Sequence, residues 1–271
     1  MIPIVLEELL VHMESVYKTP EQKWKQASVT QTDIQKMNNE VIEGSQFDPL
    51  GLKKEVWKRY KNGTNAIQCV ECDCARVVAI LPKGITVPHE WTRIFQSFGT
   101  PKHGGPKWVI YWFGSITPRR FPKTGIPLAA EHLNGGYTQT CSTDGIFIYR
   151  LEEATRVLIH ELLHAACQDP FDKTIPQREA TIETWAELIF IAYKSRGWVK
   201  KAEHLFRLQC QWIADTNEKA SKDNKVRNHN DYAWRYLNGR TEVYKELGIL
   251  LPEPSGKNPV QSRFTHPELG D

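Results

Sequence analysis

Residues 160–164 read His-Glu-Leu-Leu-His, inside the run LEEATRVLIHELLHAACQ at 151–168, and no other feature constrains this chain so tightly. The run holds no Gly or Pro, and its apolar spacing predicts a helix over 151–168. On a helix, positions i and i+4 share a face about 6 Å apart. Two imidazoles placed there reach one Zn²⁺ at about 2.0–2.1 Å, and Glu161 sits beside that face. Its carboxylate can then take a proton from a water whose pKa the metal lowers towards ~7. Most of the remaining circumference (Ala154, Val157, Leu158, Ile159, Leu162, Leu163, Ala165, Ala166) is apolar, so the helix is expected to be buried. Burying a Glu between two His is costly unless a metal or a polar network satisfies them. Two histidines hydrogen-bonded within an apolar core are the bland alternative.

A catalytic zinc needs a third protein ligand and an open fourth position. An HExxHxxGxxH continuation would put Gly and His at 167 and 170. The chain has Cys167 and Pro170, which excludes that arrangement. Downstream, Thr174 and Gln177 make a capping box, with Pro176 in the first turn of a helix over 175–196. That helix carries Glu179, Glu183 and Glu187 at successive i+4 steps. A solvated acidic stripe is the ordinary reason for such spacing. Glu183, however, has Ala180, Ala186 and Phe190 as helical neighbours, which turns it inward. Glu187, one turn later, is placed to accept the second N–H of a ligating histidine.

HELLH followed by Glu-x-x-x-Glu on a second helix resembles the gluzincin branch of the zincin metallopeptidases, over roughly residues 145–190. The resemblance implies His160, His164 and Glu183 as zinc ligands, Glu161 as general base and Glu187 in support of a ligand. It departs from the family at Glu187, where Asp is usual, and at Ile182, where Asn is frequent. It also implies that Gly145–Arg150 is an edge strand on which an extended peptide pairs. A second resemblance, carried by LNGGYT and IYRLEEATRVLIHELLHA over about 130–190, is to HExxH proteins of large DNA viruses. It implies a virion or infected-cell setting. Gluzincins also use a Tyr or His to stabilise the oxyanion, and His229 and Tyr232 are the first candidates, with Tyr236 one turn on.

Cys69-x-x-Cys72-x-Cys74 is a possible second metal site, with Cys141 or a histidine as fourth ligand. No second CxxC accompanies it, so a reduced surface hairpin is the favoured reading. Cys167 and Cys210 read as small buried residues on helices. Trp185, Trp198, Trp212 and Trp234 read as aromatic core, and Thr117–Lys123 (TPRRFPK) as a solvated basic loop.

Strand signals cluster at 76–81, 107–113 and 145–150, with helices at 89–98 between them and at 151–168, 175–196, 199–221 and 230–247 after them. The expected fold is α+β and zincin-like: a small mixed β-sheet over an active-site helix, with a helical C-terminal half. The expected division is a helical N-terminal extension (1–50), a metallopeptidase domain (51–251) and a Pro-rich tail (252–271). With 35 Lys and Arg against 32 Asp and Glu, a dedicated nucleic-acid partner is not expected. No apolar run approaches the roughly 18–20 residues of a membrane span, and the start of the chain does not read as a leader. The six cysteines are therefore expected to be mostly thiols in an intracellular, soluble protein, in the cytoplasm or a virion. The expected function is zinc-dependent hydrolysis of peptide or protein substrates. The alternative is a non-catalytic structural protein, associated with other virion proteins, that keeps the zincin fold and its zinc.

Overall fold

A computed structural model describes residues 2–224 and 231–270. In chain order the first elements are α1 (Ile4–Lys18), β1 (Lys25–Gln26), α2 (Gln31–Glu43) and α3 (Leu52–Lys61). Then come β2 (Asn65–Glu71), β3 (Ala75–Pro82), α4 (Trp91–Phe98) and β4 (Trp108–Ser115). They are followed by α5 (Ala130–Leu133), β5 (Gly136–Thr138), β6 (Ile146–Arg150) and α6 (Ala154–Ala165). The last are α7 (Ile175–Ser195), α8 (Val199–Asn224), a π-helical turn (Trp234–Asn238) and α9 (Gly239–Glu246). The fold is α+β, and the chain forms two compact units, each built from segments distant in sequence.

One unit comprises 19–118 and 134–167 and holds the whole sheet. Its six strands run in the order β1-β2-β3-β4-β6-β5. The central strands β3, β4 and β6 are parallel, and antiparallel strands flank them. Both faces of the sheet are covered, which is why RVVAIL and WVIYWF are near-continuous apolar runs rather than alternating ones. One face packs Val78, Ile80, Tyr111, Phe113, Phe147 and Tyr149 against Met37 of α2 and Leu52, Val56 and Trp57 of α3. The complementary face receives α4 and α6. Trp91 of α4 packs its ring 4.8 Å from that of Trp112 on β4 and donates from Nε1 to Thr155 Oγ1 of α6 at 2.9 Å.

The other unit comprises 2–18, 119–133, 168–224 and 231–270, and is helical. Here α7 is central, packing against α1, α8 and α9. Gly197, just past α7, shows how close α1 comes: a Cβ there would lie 2.9 Å from the backbone N of Glu14. The segment after residue 252 is not a free tail. Phe264 and Leu269 are buried, Gln209 Nε2 donates to the Phe264 carbonyl at 2.8 Å, and Trp212 Nε1 donates to that of Arg263 at 3.0 Å. In this arrangement α1 and the C-terminal segment, expected in an extension and a tail, fall in one compact unit. The basic loop is likewise not wholly solvated: Arg119 is fully buried, its Nε donating to the Leu133 carbonyl at 2.8 Å. Trp198, expected in the core, is 72% exposed. No helix among the described residues is long and apolar enough to cross a membrane.

Candidate metal centre

The helix α6 is enclosed throughout, with all twelve of its residues buried. It starts after Glu153, a buried residue held in the left-handed region at φ 59°, and its first turn closes with Val157 N donating to the Glu153 carbonyl at 2.9 Å. His160, Glu161 and His164 are 6%, 5% and 7% exposed, so the motif lies inside the protein. The two imidazoles turn their Nε2 atoms towards each other, 3.1 Å apart. Two ligands 2.0–2.1 Å from a tetrahedral zinc would be separated by about 3.3 Å, so this spacing fits a shared ion with little adjustment.

Among the described residues, one ligand atom each of His160, His164 and Glu179 lies within 4.8 Å of the others. The carboxylate in this group is one turn earlier on α7 than Glu183, the residue implied by the resemblance. Both belong to the i+4 row opened by the Thr174 cap, which forms as expected: Thr174 N donates to Gln177 Oε1 at 3.1 Å. Glu183 is buried on the same helix. Two imidazoles and a carboxylate make the His₂Glu donor set that zinc takes in hydrolytic sites.

Glu179 is held by Tyr236, whose hydroxyl donates to Oε2 at 3.0 Å. Burial, together with the Glu179 carboxylate, pushes the Tyr236 phenol well above its usual range, so it stays a donor at neutral pH. The π-helical turn supplies this geometry. It contains Tyr236 and sets its ring 4.8 Å from that of Tyr232, with the Arg235 guanidinium over both. Such insertions recur at functional sites. Of the other oxyanion candidates, Tyr232 is half-buried in this aromatic group, and His229 lies outside the described residues. Glu187, which the resemblance puts in support of a ligating histidine, carries an ion pair on the same helix. It is fully buried, Arg240 Nη1 forms an ion pair with Oε1, and the Tyr244 hydroxyl donates to Oε2 at 3.2 Å. These bonds fasten α9 to α7.

The sheet places Glu161 against an edge strand, but not the expected one. β6 is interior, paired on both sides by β4 and β5, so Gly145–Arg150 has no open edge for a peptide. The outer strand at that side of the sheet is β5. It starts at Gly136, the second of two consecutive glycines. A Cβ on Gly136 would lie 2.6 Å from Val157 Cγ1, 2.8 Å from the Phe147 carbonyl O and 3.2 Å from Glu161 Oε1. Only glycine lets β5 approach α6 this closely. On the opposite face of β5, the Tyr137 hydroxyl bonds Glu40 and the Lys53 ammonium, and Lys53 Nζ pairs with Glu40 at 2.9 Å. Burial first, and then Glu40, raise the Tyr137 phenol above its normal range. Gly136→Ala is expected to destabilise the protein by about 1–3 kcal/mol, because one contact is with backbone that cannot rotate away. A denaturant midpoint unchanged from the parent would show that β5 simply shifts outward.

The cysteines depart most from expectation. Cys141 and Cys167 form a disulfide, with Cα atoms 4.5 Å apart. Cys141 therefore supplies no thiolate to a second metal, and Cys167 is not an inert packing residue. The pair bridges 26 positions and has no motif spacing that would reveal it. Cys72 and Cys74 flank the β2–β3 turn, where Cys72 N donates to the Ala75 carbonyl at 2.9 Å. This is the expected hairpin, but all three thiols are buried within it. A hydrogen bond from Cys72 lowers the Cys74 thiol to about 7, while burial raises Cys69 to about 11. Among the described residues, no group of three metal-ligating atoms includes Cys69, Cys72 or Cys74.

No family model, curated protein or solved structure matches this chain.

Proposed function

We propose that the chain is a zinc-dependent metallopeptidase, with His160, His164 and Glu179 as ligands and Glu161 as general base. The observation that carries this reading is the convergence of the two Nε2 atoms on a buried helix, with a carboxylate at the intervening position. A zinc ion held there would polarise the scissile carbonyl and acidify the attacking water. Glu161 takes the proton from that water and passes it to the leaving amine, as a general base and then a general acid. Tyr236 fixes the rotamer of Glu179 through its hydroxyl, which keeps the carboxylate oriented as the charge at the site changes. A site used only for structure needs no general base beside its ligands, so Glu161 favours the enzyme over a non-catalytic virion component.

The reading is tested by elemental analysis of purified protein beside His160→Ala/His164→Ala. About one zinc per chain in the parent and none in the variant is the expected result, followed by cleavage of a peptide library by the parent alone. Zinc that survives in the variant would place the metal elsewhere, with the cysteine hairpin first in line. A parent that takes up no zinc on reconstitution would sink the proposal.

A further inference from the structure

We infer that the Cys141–Cys167 disulfide positions the metal ligand His164, so that zinc affinity depends on whether this bond is intact. The inference rests on the metal site just proposed. The carbonyl oxygen of His164 is where the two halves of the bridge meet the helix: Cys141 N donates to it at 2.9 Å and Cys167 N at 3.1 Å. Both cysteines sit in the left-handed region, at φ 60° and φ 58°. That conformation is disfavoured for residues with a side chain and persists where surrounding bonds hold it. The bridge also ties the segment that follows β5, the strand beside Glu161, to the residues just past the end of α6. Without it, Cys141 and Cys167 are free to leave the left-handed region. The two amides then no longer hold the last turn of α6, and the His164 ring loses its fixed approach to His160.

Reduction by a phosphine breaks the S–S bond, leaves two thiols and converts the phosphine to its oxide with the oxygen of one water. No other reactant is needed, and phosphines compete weakly for zinc. The experiment is a zinc titration of the full chain against a chromophoric chelator, before and after phosphine treatment. Peptide mapping under non-reducing conditions fixes the bridge, and far-UV circular dichroism confirms that the reduced chain stays folded. Zinc affinity is expected to fall about tenfold or more on reduction, as when other supports of metal ligands are removed. It should return once the bridge re-forms. Cys141→Ser/Cys167→Ser should start at the weaker affinity and show no further change with phosphine, which separates this bridge from the hairpin thiols. Equal affinity in the oxidised and reduced protein would overturn the inference and leave the metal site standing. A chain that binds no zinc in either state would overturn both.

Discussion

Glu161→Gln is expected to retain its zinc and to lose peptide hydrolysis by a factor of about 10²–10⁴, the usual worth of a positioned general base. The amide matches the carboxylate in shape, which matters at a buried position against Val157 and β5. It can still accept a hydrogen bond, but it cannot carry the proton from water to the leaving amine. The loss should therefore fall on kcat, with KM little changed. Paired measurements of zinc content and hydrolysis rate make the result decisive. A variant that keeps both zinc and turnover removes Glu161 from the mechanism. One that loses both makes the residue a support of the site rather than its base.

The largest expected stability effect lies away from the metal. Arg240 and Glu187 are both fully buried, and their ion pair joins α9 to α7. Arg240→Ala would take the guanidinium away from the buried Glu187 carboxylate, while the Tyr244 hydroxyl stays on Oε2. Removing one partner of a buried pair costs about 3–5 kcal/mol, chiefly because the remaining charge stays desolvated. Urea unfolding should show that loss. Glu187→Gln, which also removes the charge that Arg240 faces, tests the pair from the other side. Replacing both residues with apolar side chains of similar volume should recover much of the deficit, since such swaps are often neutral or better. A urea midpoint unchanged in Arg240→Ala would show that the pair adds nothing to stability.

Much of this was legible in the residues, and what was not has physical causes. Strong apolar periodicity placed α6, α7 and α8 to within a few residues, and the β3, β4 and β6 runs were unmistakable because strands buried on both faces cannot alternate. The cysteine hairpin was expected, but the extent of its first strand, β2 (NAIQCVE), was not, because that strand mixes polar and apolar residues. β5 was missed for a different reason. Its glycine is selected by a close approach to α6, and in sequence such a glycine looks the same as one in a turn. The choice between Glu179 and Glu183 could not be made from spacing, since both lie on one i+4 row. The Tyr236 hydroxyl that holds Glu179 comes from a π-helical turn, which straight helical periodicity does not anticipate. The disulfide was hidden because it depends on two backbone positions meeting in space.

The interleaving of the two units has a consequence for how the chain is made. The sheet unit is complete in sequence by Cys167, so its strands can pair while later residues are still being synthesised. Helix α1 is made well before its packing partner α7, which does not begin until Ile175. At ribosomal speeds of about 5–20 residues per second, that is a wait of roughly 8–35 s. For that interval the apolar stripe of Leu6, Leu10, Met13 and Val16 is exposed without its partner. It is the segment of the nascent chain on which a chaperone has both reason and time to act.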